Sequence, residues 1–204
     1  MEGLLTKKEL TELLDKDLII RPLLDEDQIG EIGIDFRLGC NFLVSIQGRE
    51  PVINASLNSG NSERSIKNFF KETRRQIGET FILHPNQTIL SSSLEYVKLP
   101  NNCLLALYMR SSYSRLGLTV STIVQPGYCG CVPIELTNNN NNPINLTVGS
   151  RIFQGVFFAA SGKTDYFKTP RKYMCNVRPE PSAVYKDMDL KLLHELWKFS
   201  NNRD

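Results

Sequence analysis

The chain has 204 residues, 41% hydrophobic and 23% charged, a balance typical of one globular domain with a sizeable core. The formal net charge of +2 excludes a broad electrostatic surface for duplex nucleic acid, so we expect no nucleic-acid partner. The sequence has no stretch of about 18 apolar residues, so we expect no membrane span. The N-terminal residues also lack the apolar core of a signal peptide. The five cysteines are odd in number and scattered, which is typical of packing roles in a reducing cytoplasm rather than of a disulfide framework.

The chain is predicted to begin with a short helix and to continue as strands. Thr6 and Glu9 have capping-box spacing, and Leu10, Leu13 and Leu14 follow on one helical face. Short apolar segments separated by Gly, Pro and Asn come next and are typical of a β-sandwich or barrel. These segments are residues 33–39, 79–85, 88–93, 95–100, 103–109, 131–137, 143–149 and 151–158.

Three segments depart from the strand pattern. Residues 63–75 (ERSIKNFFKETRR) predict a short basic helix inserted between strands. The asparagine run 138–142 before Pro143 predicts a loop that connects a hairpin. Leu190, Leu193 and Trp197 have roughly helical spacing and predict a C-terminal helix. We therefore expect one domain over residues 1–187, with an insertion at about 60–78, and a helical extension over residues 188–204.

The polar residues after the apolar run 103–109 form a candidate anion site. Arg110, Ser111, Ser112 and Arg115 would emerge together from the end of a buried strand. Guanidinium groups offer a planar fork of donors that suits phosphate oxygens. A solvated turn would have the same composition.

Glu135 stands out within an otherwise apolar strand. Alternation places Val132, Ile134 and Leu136 on one face and Glu135 on the other. That carboxylate is either solvated on an outer face or held in a pocket. In a pocket, loss of hydration would raise its pKa toward neutrality, as general acid–base catalysis requires.

The sequence favours chemistry without a protein-bound metal. His84 and His194 are far apart, and Cys129 and Cys131 have the wrong spacing for a zinc site. The H-x-E and P-C-x-x-C motifs of zinc nucleobase deaminases do not occur. A P-loop and a dinucleotide fingerprint are also missing, so the cysteines are interpreted as packing residues.

Several motifs resemble those of dCTP deaminases, a family of the trimeric dUTPase-like superfamily. The similarity covers roughly residues 4–187, and the motifs occur in order. MRSSYSRLGL resembles G-R-S-S-x-x-R-L-G-L, and VQPGYCGCVPIELTN resembles I-D-P-G-W-x-G-x-x-x-L-E-x-x-N. The other matching segments are GIDFRLG, LEYVKLP, VGSRIFQGVFF and the tail KYMCNVRPEPSAVYKD.

This resemblance implies a mainly β fold, a distorted jelly-roll or barrel of the dUTPase-like type, with an N-terminal and a C-terminal helix. It also implies a homotrimer whose active sites are shared between subunits. The implied reaction converts dCTP and water to dUTP and ammonia, which supplies dUTP for thymidylate synthesis. Mg²⁺ would accompany the triphosphate, and no zinc would be needed.

The resemblance also implies roles for individual residues. Glu135 matches the catalytic glutamate, and Ser111 and Arg115 match residues that place water and substrate beside it. Arg110 and Ser112 would contact phosphates or orient their neighbours.

Further positions match substrate-binding residues. The main chain of Pro133 and Ile134 would contact the pyrimidine edge. Tyr166, Lys172 and Asn176 match tail positions that close over the nucleotide.

Some positions depart from the family pattern and keep other functions open. Gln125 replaces an aspartate that approaches the deoxyribose 3′-hydroxyl, and an amide can accept that hydrogen bond but is a poor base. Thr122 and Ile123 replace a common His-Arg pair. The alternatives to a plain deaminase are a bifunctional deaminase–dUTPase that releases dUMP and diphosphate, and a catalytically silent nucleotide-binding regulator. Feedback by dTTP is not indicated either way.

Overall fold

The computed structural model describes residues 3–46, 52–53, 55, 66–169 and 171–201, and the fold is mainly β. The helices include α1 (Lys7–Leu13), α2 (Ser111–Ser114) and α3 (Met188–Asn201), with 3-10 helices at Glu26–Gln28 and Val184–Lys186. The strands are β1 (Gly3–Leu4), β2 (Ile19–Arg21), β3 (Ile29–Gly30), β4 (Gly33–Arg37), β5 (Asn41–Ser45), β6 (Phe70–Arg74), β7 (Thr80–Leu83), β8 (Thr88–Lys98), β9 (Cys103–Met109), β10 (Leu118–Thr119), β11 (Thr122–Val124), β12 (Cys129–Asn138), β13 (Ile144–Thr147) and β14 (Arg151–Ala159).

The strands form two larger sheets and one strand pair. The first sheet has the order β11-β9-β14-β4-β3, with β1 also paired to β14. The second has the order β10-β12-β8-β5-β6, with β2 also paired to β8, and β13 pairs with β7. The predicted mainly β jelly-roll is confirmed. Within the described ranges neither large sheet closes on itself, so the fold is not a closed barrel.

One hydrophobic core joins the inner faces of the two sheets. Phe36, Leu105 and Phe153 contribute from the first sheet, and Ile89 and Ile134 from the second. Each fully buried side chain of this size stabilises the fold by about 1.5–3 kcal/mol. All eight apolar segments predicted as strands contribute to this architecture. Two of them, residues 88–93 and most of residues 95–100, belong to the single strand β8, which ends at Lys98.

The N-terminal capping box is confirmed. The Glu9 carboxylate accepts hydrogen bonds from the Thr6 amide and the Thr6 hydroxyl, each at 2.9 Å. The bond from the Thr6 amide is the main reason that the pKa of Glu9 is lowered. Helix α1 therefore starts where the sequence predicts.

The predicted basic helix at residues 63–75 is wrong for most of its length. Residues 66–68 are helical, but Phe70–Arg74 forms strand β6 at the edge of the second sheet. Lys71, Glu72 and Arg74 are exposed. Charged side chains suit an edge strand because they discourage further pairing, so the tertiary position overrides helix propensity. Residues 63–65 lie outside the described residues.

The asparagine-rich connection is not a hairpin. It joins β12 to β13, but β13 pairs with β7 and β12 pairs with β8 and β10. Asn138 is buried, and its side-chain amide donates to the main-chain oxygens of Leu83 and Asn142. The loop is thus tied to the end of β7, which a local sequence pattern does not reveal.

The chain divides into two compact units. One comprises residues 1–44 and 72–180, and the other residues 45–71 and 181–204. Helix α3 in the second unit confirms the predicted C-terminal helix. The expected boundary at residue 187 stays a prediction. Over the ranges described, no helix combines the length and the apolar character needed to span a bilayer.

Candidate active site

Strand β12 separates a buried face from an outer face. Val132, Ile134 and Leu136 are at most 1% exposed, whereas the Glu135 side chain is exposed in the single chain. The predicted alternation is therefore confirmed. Ile134 can reach a ligand only through its main chain, and Pro133 shares the outer face with Glu135.

A neighbouring strand holds the Glu135 carboxylate. The hydroxyl of Thr122, on β11, donates to Glu135 Oε2 at 3.1 Å. Thr122 is buried, so its hydroxyl is restricted to this direction. Among the residues that the structure describes, no other group donates to this carboxylate, which leaves Oε1 open to water or a substrate. Sequence reasoning noted Thr122 only as a departure from the family pattern and missed this contact.

A cleft of about 420 Å³ reaches the outer face of β12 at Pro133, two residues from Glu135, which is not itself among the lining residues. Four of the predicted substrate-binding residues line it: Gln125, Pro133, Tyr166 and Lys172. The remaining lining residues are Ile123, Val124, Tyr128, Arg171 and Tyr173. The lining therefore combines aromatic rings with two cationic side chains, a set that suits a base and its phosphates. Sequence reasoning did not single out Arg171 or Tyr173, although both flank Lys172.

Tyr166 anchors the chain segment that forms one wall of this cleft. Its ring meets Tyr128 edge to face, with the centroids 5.9 Å apart, and the Arg171 guanidinium lies 4.6 Å from its centroid. Its hydroxyl donates to the main-chain oxygen of Tyr173 at 3.2 Å. Tyr166 is 4% exposed, so in the single chain it positions Arg171 and Tyr173 and presents little surface of its own.

A tight turn carries Gln125 to the cleft. The Tyr128 amide donates to the Gln125 main-chain oxygen at 3.1 Å, and Pro126 and Gly127 occupy the central positions, as in a type II turn. Gly127 has φ +80°, and a Cβ there would lie 2.7 Å from Asn101 Oδ1. Only glycine fits this turn, which explains the P-G pair in the motif.

Asn176 lies beside the start of β12 and does not line the cleft. Its main-chain oxygen accepts a hydrogen bond from the Cys131 amide at 2.8 Å. Gly130 makes the close approach possible, because a Cβ at that position would lie 2.7 Å from the same oxygen. In the single chain, Asn176 thus docks its segment onto β12.

Ser111, Ser112 and Arg115 are not brought to this cleft. They lie in or directly after α2, and all three are exposed on the surface of the single chain. The structure therefore separates them from Gln125, Pro133, Tyr166 and Lys172, although the sequence predicts one common site.

Arg110 is engaged within its own chain. Its Nε lies 3.2 Å from Asp35 Oδ2, and its Nη1 donates to the Arg151 main-chain oxygen at 3.0 Å. Burial raises the pKa of Asp35, and the nearby Arg110 and Arg151 oppose that shift. These contacts hold the point where β9 passes into α2.

A second carboxylate, Glu95 on β8, is fully buried. Its two oxygens accept hydrogen bonds from the Gln28 side chain at 3.1 Å and the Arg37 amide at 3.0 Å. Burial raises the pKa of Glu95 to about 7. The Ser93 hydroxyl donates to the Glu95 main-chain oxygen and accepts from the Val132 amide, which sets the register of β12 next to Pro133. An acidic residue inside an apolar strand is the sequence signal that marks Glu95.

The fold and this site agree with similarity to known proteins. A family model described as dCTP deaminase-like matches residues 4–160, so the chain belongs to the dCTP deaminase-like family. This confirms the family that the motifs indicate.

Two relatives make the comparison more specific. A "dCTP deaminase, dUMP-forming" from Methanobrevibacter smithii is 34% identical over 197 residues, which cover 93% of this chain and 99% of that protein. A "dCTP deaminase" from Halorubrum lacusprofundi is 33% identical over 184 residues, which cover 88% of this chain and 84% of that protein.

A solved structure shares the fold. The crystal structure of 2′-deoxycytidine 5′-triphosphate deaminase from Agrobacterium tumefaciens matches with a TM-score of 0.59 and 20% identity. The match covers 78% of this chain, and this chain spans about half of that one, 48%.

Proposed function

We propose that the protein is a dCTP deaminase, which converts dCTP and water to dUTP and ammonia. One observation carries the proposal: the Glu135 carboxylate, held by Thr122, stands two residues from Pro133 on the same face of β12. Successive residues on one strand face are about 7 Å apart. A pyrimidine ring that rests on Pro133 would therefore bring its C4 amino group within reach of Glu135.

Glu135 would act as both base and acid. It would take a proton from a water molecule as the oxygen attacks C4 and pass that proton to N3. It would then move the remaining proton of the new C4 hydroxyl to the departing amino group. Breaking the C4–N bond releases ammonia and leaves the uracil carbonyl. A positioned acid–base group typically contributes about 10²–10⁴-fold to the rate.

The cationic wall of the cleft would bind the triphosphate. Arg171 and Lys172 line it, and Gln125 would meet the sugar hydroxyl. Mg²⁺ would enter with the phosphates, because the polar side chains of the cleft wall are cationic or neutral and suit phosphate oxygens better than the ion. We expect a zinc chelator that spares Mg²⁺ to leave the rate unchanged, and loss of activity would contradict a reaction without zinc.

We further infer a homotrimer in which α2 of one copy completes the cleft of another. Ser111 and Arg115 are exposed and lie outside the cleft of their own chain, which supports this arrangement. A second copy would also shield Glu135 from bulk water, and such shielding would favour its acid–base role.

Mixing two inactive variants tests the shared site. Glu135→Gln and Arg115→Ala chains, dissociated and reassembled in equal amounts, should regain activity. About a quarter of the sites would then combine an intact Glu135 from one chain with an intact Arg115 from another. Each variant reassembled alone serves as the control. If the mixture stays inactive while both variants form mixed oligomers, the shared site is wrong.

A second candidate is a bifunctional enzyme that releases dUMP and diphosphate. The names of relatives from Methanobrevibacter smithii and Nanoarchaeum equitans, both described as dUMP-forming, favour it. The cleft-lining Gln125 opposes it, because an amide cannot activate water for attack on the phosphate. Product analysis with dCTP and Mg²⁺ separates the two: dUTP with ammonia supports the deaminase, and dUMP with diphosphate supports the bifunctional enzyme. Binding without turnover would instead indicate a silent regulator.

A further inference from the structure

Two cysteines that are far apart in sequence meet beside the candidate active site. Cys129 is the first residue of β12, and Cys175 lies 46 residues later. Their Sγ atoms are 3.1 Å apart, and both thiols are free. A disulfide needs a separation of about 2.05 Å, so an approach of about 1 Å would join them.

The backbone holds the two thiols in register. Asn176, next to Cys175, accepts a hydrogen bond from the Cys131 amide at 2.8 Å, two residues from Cys129. Cys175 has φ +56°, a conformation that non-glycine residues rarely adopt. The pair thus sits at a contact between two segments that are already aligned.

A third thiol, that of Cys131, competes poorly for a disulfide bond with Cys129 or Cys175. Cys131 shares a strand face with Cys129, but burial raises the pKa of Cys131 to about 11, so it stays protonated. Cys175 is exposed and open to reagents. The pKa of Cys175 is raised because it is hydrogen-bonded with Cys129, so we expect coupling of the pair to become faster as the pH increases.

We propose that Cys129 and Cys175 are a disulfide-forming modification site that responds to a peroxide. One thiolate attacks the peroxide O–O bond to form a sulfenic acid and releases hydroxide. The second thiolate then attacks the sulfenic sulfur and displaces a second hydroxide. Overall, two thiols and hydrogen peroxide give one disulfide and two waters, and two electrons pass from sulfur to oxygen.

The bond would fasten one wall of the cleft to β12. Cys175 follows Arg171, Lys172 and Tyr173 closely in the chain, and these three residues line the cleft. In the reduced protein the contacts that hold this segment include those of Tyr166 and a main-chain bond from the Cys131 amide. A covalent link three residues beyond Lys172 restricts its motion, so we expect trypsin to cleave after Arg171 and Lys172 several-fold more slowly in the oxidised protein.

The test is peptide mapping of the whole chain after treatment with hydrogen peroxide. The alkylatable thiols should fall from five to three, with a joined pair of peptides containing Cys129 and Cys175 and full reversal by a dithiol reductant. Cys175→Ser and Cys129→Ser should each abolish the joined pair, whereas the matched variant Cys40→Ser should retain it. Alkylation of all five thiols, a bond through Cys131, or sulfinic acid at Cys175 without loss of the Cys129 thiol would each overturn the proposal. None of these readouts depends on turnover of a nucleotide.

Discussion

Two carboxylates on adjacent strands, Glu135 on β12 and Glu95 on β8, occupy opposite environments. Glu135 is exposed in the single chain and held by one hydroxyl, that of Thr122. Glu95 is fully buried and accepts bonds from Gln28 and the Arg37 amide. Burial raises the pKa of Glu95 to about 7.

The difference shows that a raised pKa alone does not mark an active site. Perturbed carboxylates are good candidates for function, but structural networks produce the same shift. Glu95 does not line the cleft, and its oxygens are already used inside the fold. Glu135 is also not a lining residue, but it is exposed, shares a strand face with the cleft-lining Pro133, and keeps Oε1 free of hydrogen bonds among the described residues. Access to a ligand thus distinguishes the proposed catalytic carboxylate, Glu135, from Glu95, and the following predictions test that distinction.

The largest effect is expected from Glu135→Gln. Removing the proton acceptor should lower dCTP deamination by about 10²–10⁴-fold, the usual contribution of a general acid–base group. Steady-state ammonia release measures the change. The matched control is Glu95→Gln, the same substitution on the neighbouring strand, which should leave the rate per folded chain within a few-fold. Similar losses in both variants would remove the distinction between the two residues.

A large effect on stability, but not on rate, is expected from Glu95→Gln. The pKa of Glu95 is raised from its ordinary 4.5 to about 7, so the folded protein favours the protonated form. The contribution of Glu95 to the free energy of unfolding is fully present below pH 4.5 and is lost as the pH rises through about 7. At about 1.36 kcal/mol per pKa unit, the wild type should lose about 3 kcal/mol relative to the variant across this window.

Urea unfolding at fixed protomer concentration, at about pH 5 and about pH 8, measures the difference. The exposed Glu31→Gln variant is the control and should follow the wild type at both values. If the difference in unfolding free energy between the wild type and Glu95→Gln is the same at both pH values, Glu95 does not titrate between them.

A moderate effect on binding is expected from Lys172→Gln. A lost charge-assisted bond to phosphate corresponds to about 1.5–3 kcal/mol, or roughly 10–100-fold in the KM for dCTP, with a smaller change in kcat. Lys163→Gln, a similar loss of charge outside the cleft, should not change the KM. An unchanged KM in Lys172→Gln would remove this side chain from the phosphate site.

The smallest effect is expected from Thr122→Val. The change keeps the shape of the side chain and removes the donor to Glu135, so kcat should fall about tenfold while the KM changes little. Thr122→Ser, which restores a hydroxyl, should recover most of the rate. If Thr122→Ser is as slow as Thr122→Val, the packing of Thr122 and not its hydrogen bond matters.

Much of the fold could be predicted because its signals are local. Alternation in β12 correctly places Val132 and Leu136 inside and Glu135 outside. The spacing of Thr6 and Glu9 correctly predicts the start of α1. β6 was mistaken for part of a helix because its charged residues have helical propensity, whereas pairing at a sheet edge decides their conformation. The motifs predict Pro133, Tyr166 and Lys172, but they do not reveal Arg171, which is placed by its contact with Tyr166.

The sequence by itself determined the family, the strand pattern and the identity of the candidate carboxylate, because motifs and periodicity depend only on neighbours along the chain. The tertiary structure alone decided that Thr122 holds Glu135, that Glu95 is buried and that Cys129 meets Cys175. Each of these features depends on separate strands or segments that pack together, and the two cysteines are 46 positions apart in the chain. Such pairings follow from how the sheets and the tail pack, and that arrangement depends on the hydrophobic core as a whole rather than on any local pattern.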